Sequence, residues 1–167
     1  MEYEDFRWLA AAIAAHTDGK IVGRTRLQKT VWLLQRLGLP TEYSYMTHFY
    51  GPYSEGLHAE IGLLESLGVV AEEPKVPAGR DEPYYVTKVT QTKGLPVKEL
   101  PERVRKAIPV LEDTDSVVLE LAATYDSFRE QGASHDEAVE RVKRKKGAKC
   151  DGGNLDKAVA LVQKLIG

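Results

Sequence analysis

Three groups of residues in this sequence have the types and spacing to do recognition or chemistry. Lys29, Trp32 and Arg36 stand at i, i+3 and i+7, one face of a helix, with Lys20, Arg24 and Arg26 just ahead of them. An aromatic ring between two cations can stack on a base or a partner's ring while the cations meet phosphate or carboxylate. The plainer alternative is a partly buried Trp32 with the methylene stems of Lys29 and Arg36 drawn over it. Arginines at a helix start also oppose its dipole and ask for a counter-charge, for which Asp18, Glu42 and Glu55 are candidates. The second group is Arg141, Lys143, Arg144, Lys145, Lys146 and Lys149, six cations within nine residues. Such a cluster would bind phosphate in a salt-sensitive, sequence-blind way. It also suits a solvated helix end, where the dipole favours cations and Glu137 and Glu140 would pair with Arg141 and Arg144.

The third group argues in the opposite direction. On a helix over residues 54–67, the outward face at 100° per residue is Glu55, His58, Ala59, Gly62, Glu65 and Ser66, with no Arg, Lys, Asn or Gln. A helix that reads bases needs those side chains, and carboxylates repel phosphates. The small residues leave room for another backbone, so Glu55, His58, Ala59, Gly62 and Ser66 are read as a protein interface, with a plain solvent face as the alternative.

Catalytic constellations are scarce. The histidines His16, His48, His58 and His135 lack ligand spacing, so no metal is expected. His58 beside Glu55 and Glu65 could be imagined as an acid/base group, but such neighbours are common on exposed helices. Asp113-Thr114-Asp115 begins like a calcium loop and fails at Val117 and Val118. No phosphate-binding glycine loop or nucleophile elbow is present. Cys150 follows Lys145, Lys146 and Lys149, cations that could lower a thiol pKa, though a lone cysteine near a loop is usually inert. No catalytic residue, cofactor or enzymatic activity is expected.

The elements that must position these groups belong to an ordinary globular chain of 167 residues, 43% hydrophobic and 29% charged, with a formal net charge of −2. That balance excludes a wholly basic nucleic-acid coat protein. A single cysteine, an acidic start and no apolar run near the roughly 20 residues that span a bilayer point to a cytoplasmic protein free of the membrane. Apolar periodicity places helices over residues 3–16, 25–37 and 54–67, and a strand in which Tyr43, Tyr45, Thr47 and Phe49 share a side. Strands over residues 69–71 and 84–90 flank a proline-rich loop. That order is the order of a winged helix-turn-helix, in which three helices bury their stripes on one another and a hairpin covers the open edge. Helices over 115–131, 134–146 and 154–166 follow, the second opening with a Ser134…Glu137 capping box. The expectation is therefore a mostly α (α+β) chain with a winged-helix-like module over 1–92, a linker over 93–101, and a three-helix extension over 102–167. The apolar faces of that extension would meet each other, the first module or a second chain.

The run Gly23-Arg24-Thr25-Arg26-Leu27-Gln28-Lys29, continuing Val31-Trp32-Leu33-Leu34, then Phe49-Tyr50-Gly51-Pro52-Tyr53-Ser54 with Leu57 and Leu67-Gly68, resembles the YwgA-like family of bacteria and archaea. More distantly it is similar to the SocA-like (Panacea) antitoxin domain, which shares the Leu-Gln-Lys helix and the Tyr-Gly-Pro-Tyr-Ser turn. The resemblance covers residues 6–92 and, more loosely, 119–149. It implies a winged-helix-like module and protein-binding or regulatory roles, and carries over no catalytic residue. The function expected is a non-enzymatic regulatory or adaptor protein acting through protein contacts, as a homodimer. The alternative is a DNA-binding transcriptional regulator using the basic helix and the basic C-terminal run.

Overall fold

Apolar stripes in the first half of the chain close three helices onto a small sheet. The computed structural model describes residues 5–48 and 51–167, and of His48 only the backbone. The chain runs α1 (Asp5–Ala14), β1 (Lys20–Val22), α2 (Arg24–Arg36), β2 (Met46–His48), β3 (Gly51–Tyr53), α3 (Glu55–Ser66), β4 (Val70–Lys75) and β5 (Tyr84–Val89). Four helices follow: α4 (Glu102–Glu112), α5 (Ser116–Glu130), α6 (His135–Lys146) and α7 (Asn154–Leu165). The result is a mostly helical α+β fold. β5 is the centre of an antiparallel sheet of order β1-β5-β4, while β2 and β3 form a separate hairpin.

Helix starts are fixed by side chains that satisfy otherwise orphaned backbone donors. The Ser54 hydroxyl accepts from Leu57 N–H at 3.1 Å, and the Ser134 hydroxyl accepts from Glu137 N–H at 3.2 Å. Asp115, the end of the calcium-like triplet, accepts from Val117 N–H and caps α5.

Three departures from the sequence reading have local physical causes. The strand expected across residues 43–49 is confined to Met46–His48, and Phe49 lies outside the described residues. Upstream, the Gln35 amide takes the place of a strand neighbour. Its Nε2 donates to Tyr43 O at 3.1 Å, and its Oε1 accepts from Tyr43 N–H at 3.1 Å and Thr41 Oγ1 at 2.7 Å. β1, too short for a periodic signal, becomes a strand only by pairing with β5. α4 was hidden by Pro101 and Pro109, yet Val104, Ala107, Ile108 and Leu111 form a buried i, i+3, i+4, i+7 stripe. The extension thus has four helices rather than three.

Residues 93–101 lie against the rest of the chain. Leu100 is buried, and the Arg7 guanidinium donates to Gly94 O at 3.1 Å. α5 is the central element: Val118 through Phe128 are all buried, because one side packs on α6 and α7 and the other on α2 and β3. Val104, Ile108, Leu111, Leu119 and Ala123 share a core with α1, α2 and α3, while Leu121, Tyr125, Val142 and Val162 build a second core. Of the three partners open to the apolar faces of the extension, two are used: the helices cover each other and the first module.

At the hairpin, Gly51 has φ +102° and backs directly onto α5, so that a Cβ there would collide with Thr124 Oγ1. Gly51→Ala should therefore cost about 2–3 kcal/mol in urea unfolding, from strain plus collision. Gly79→Ala, at φ +79° with nothing within 4 Å, should cost about 1 kcal/mol from strain alone. Equal losses would contradict the close approach.

Candidate functional site

The motif residues of α2 turn inward. Gln28 Nε2 donates to Ser54 O at 3.0 Å and its Oε1 accepts from Ser54 N–H at 2.8 Å, so one amide side chain clamps the residue that starts α3. Lys29, 2% exposed, donates to Pro52 O at 2.8 Å. Trp32 Nε1 donates to Asp126 Oδ2 at 3.0 Å, and Arg36 Nε donates to the same oxygen at 2.9 Å. Trp32 also meets the Tyr45 ring edge-on, with centroids 4.9 Å apart. Arg26 donates to Leu111 O at 3.0 Å and Thr114 O at 2.6 Å, tying α2 to the α4–α5 turn.

Of the two readings of Lys29, Trp32 and Arg36, the open basic face is not formed, and the buried one is carried further than a partly covered Trp32. Lys29 and Trp32 are buried, and Arg36 is engaged by Asp126. Burial, helped by the neighbouring Lys146, pushes the Lys29 ammonium down to about 8. Arg24 finds its counter-charge in Glu72, at 2.6 Å, and lies over the Tyr85 ring at 3.7 Å. None of the expected partners Asp18, Glu42 and Glu55 fills that role. Lys20 is exposed at β1.

The basic run divides. Arg141, Lys143, Arg144 and Lys145 are exposed, with Lys143 3.8 Å from Glu140. Lys146 turns inward to the buried Glu120 at 3.7 Å, and Lys149 reaches the same carboxylate at 2.9 Å. At Cys150 burial raises the thiol pKa despite Lys143 and Lys146 nearby, in keeping with the inert reading. His58 lines a crevice of about 270 Å³ with Arg24, Gln28, Tyr53 and Glu72. A larger open cleft of about 800 Å³ lies between the α4–α5 turn and α7, with Asp113, Asp115, Lys157 and Lys164 on its walls.

On α3, Glu55, His58, Ala59, Gly62 and Ser66 are exposed, as the 100° spacing implies. Leu63 and Leu67 join them, 38% and 56% exposed. The opposite side holds a residue that sequence reasoning passed over. Glu60 is fully buried, accepts a hydrogen bond from the Tyr43 hydroxyl, and its Oε1 has no hydrogen-bond partner among the described residues. Burial, reinforced by Asp5, pushes its carboxyl up to about 7. The available signal was its place beside Leu57, Ile61 and Leu64 on the inward side of the helix. Among the described residues, no three His, Cys, Asp or Glu side chains gather to hold a metal.

Removing the Asp126 carboxylate leaves a buried indole N–H and a guanidinium without their shared acceptor. Asp126→Ala should lower stability by about 2–3 kcal/mol, and Asp126→Asn by less, as read from urea midpoints. An unchanged midpoint would contradict the junction. For Glu60, the folded pKa near 7 exceeds the unfolded value near 4.3, so the unfolded chain loses its proton first as pH rises. Its contribution to stability is greatest at low pH and declines between about pH 4 and 7. Glu60→Gln should flatten that decline by up to about 3 kcal/mol. An identical pH slope in both proteins would contradict it.

No helix of the described residues is long and apolar enough to cross a membrane. No family model matches the chain. Over 126 residues it is 32% identical to the uncharacterised protein YwgA of Bacillus subtilis (strain 168), a match spanning 75% of each chain. At that identity and coverage the chain belongs to the YwgA-like family.

Proposed function

We propose that this chain is a non-enzymatic regulatory or adaptor protein with a winged-helix-like N-terminal module, acting through protein contacts made by α3. Three helices preceding a β4–β5 hairpin, with β1 completing the sheet on the far side of β5, are the parts such a module requires. The more distant likeness to SocA-like domains, in the Leu-Gln-Lys and Tyr-Gly-Pro-Tyr-Ser segments, fits the same reading. The observation that carries it is the surface of α3. Where a DNA reader would present basic and amide side chains, this helix presents Glu55, Glu65, Leu63 and Leu67 and contains neither lysine nor arginine.

One observation favours a second reading, a DNA-binding regulator: Arg141, Lys143, Arg144 and Lys145 remain exposed together on α6. Phosphate-driven affinity is strongest at low salt, so fluorescence anisotropy with a duplex at about 50 mM salt separates the two. No saturable binding is expected. Binding that falls steeply with salt and is lost in an Arg144→Glu/Lys145→Glu variant would put the DNA-binding reading first.

A further inference from the structure

A crevice of about 220 Å³ lies where the chain just past α1 meets β1, α2 and the end of α4. Its walls combine the buried Ile21 and Leu111 with three side chains whose polar atoms are only partly satisfied. His16 is 6% exposed, and its Nδ1 lies 2.7 Å from Ala12 O. A carbonyl oxygen only accepts, so Nδ1 carries the ring proton, and the Nε2 lone pair has no partner among the described residues. Burial keeps the ring neutral by lowering its pKa. Glu112 accepts from Thr17 N–H at 2.9 Å through Oε1, and its Oε2 is open. Lys20 is exposed and has no ion-pair partner among the described residues. A fourth group is main chain. β1 is an edge strand, and Gly23 N–H donates to Tyr85 O at 2.7 Å. Bonded and outward residues alternate along an antiparallel ladder, so Val22, which also lines the crevice, turns its N–H away from β5.

These groups select the ligand. His16 Nε2 and the Glu112 carboxylate call for a cationic donor, while Lys20 and the Val22 N–H call for an anionic acceptor. Arg26 lines the crevice too, but its guanidinium is engaged by Leu111 O and Thr114 O. A simple anion leaves Glu112 unmatched, and a simple amine leaves Lys20 unmatched. One imidazole and one carboxylate beside two cations are too few ligands and too much positive charge for a metal ion. The volume falls below the roughly 300 Å³ at which pockets for drug-sized ligands begin, so a nucleotide is too large. What fits is a small zwitterion with an aliphatic part for Ile21 and Leu111.

Independently of how α3 is used, we infer that this crevice binds a free aliphatic amino acid, its ammonium on His16 Nε2 and Glu112 Oε2 and its carboxylate on Lys20 and the Val22 N–H. The ligand would bridge the first module and α4.

The test is NMR of the whole chain, following backbone amides and the His16 ring nitrogens as L-leucine is added. Two analogues each lack one charge: leucinol has no carboxylate, and 4-methylpentanoate has no ammonium. Leucine should shift the Thr17, Val22 and Glu112 amides in saturable fashion and move His16 Nε2 as its lone pair accepts a hydrogen bond. Each analogue should bind at least about tenfold more weakly, the loss expected for one charge-assisted hydrogen bond. Lys20→Gln, at an exposed position, should weaken leucine by a similar factor and leave leucinol unchanged. Glu112→Gln keeps an acceptor for Thr17 N–H, and should weaken leucine without weakening 4-methylpentanoate. No shift at about 10 mM leucine, where a millimolar site is mostly filled, would overturn the inference, as would shifts confined to residues away from the crevice. Equal binding of all three probes, or tightest binding of either analogue, would overturn the zwitterion as ligand. None of these results bears on the reading of α3.

Discussion

A lysine ammonium and a glutamine amide on the inner side of α2 constrain the rest of this structure. Burying such groups is costly unless each finds a hydrogen-bonding partner. Gln28 finds both backbone groups of Ser54, and Lys29 finds the carbonyl of Pro52. Those acceptors can be offered only by a turn that passes close to α2, and Gly51 lets the turn do so while also backing onto Thr124. The same short segment therefore touches α2, α5 and the first residue before α3. The start of α3 is positioned by polar contacts as well as by its apolar stripe.

That arrangement redistributes charge. Cations that sequence spacing would place on an open face are consumed by carbonyls and carboxylates: Arg26 by the α4–α5 turn, Arg36 by Asp126, and Lys146 and Lys149 by Glu120. Positive charge remains exposed on α6, while α3 exposes Glu55 and Glu65 and holds neither lysine nor arginine. A formal net charge of −2 thus hides strongly unequal surfaces. Their separation, rather than the total, decides what each face can approach.

Much of this was legible in the chain, and the illegible parts share a cause. α2, α3, α5, α6 and α7 announce themselves through apolar periodicity, and Ser54 and Ser134 mark two of their starts. The exposed face of α3 follows from the same periodicity. Lys29 was not legible as a buried group, because its acceptor is a backbone carbonyl 23 residues away. The acceptor of Trp32 lies 94 residues away on α5. Pairings at that range leave no local pattern. Glu60 is a different case: a carboxylate beside Leu57, Ile61 and Leu64 breaks the stripe visibly, and the neighbouring tyrosines supply a donor. Residues 43–45 read as strand because their alternation is real, yet Gln35 supplies the hydrogen bonds that a neighbouring strand would otherwise provide.

The central claim, that α2 holds the turn before α3 through buried side-chain hydrogen bonds, is tested most directly by native-state hydrogen exchange at the Ser54 amide. That N–H is bonded to Gln28 Oε1 at 2.8 Å and is sealed from water. The account predicts that it exchanges as slowly as amides in the interior of α2 and α5, through opening of the whole core. Exchange as fast as that of exposed loop amides, with α2 still protected, would contradict it.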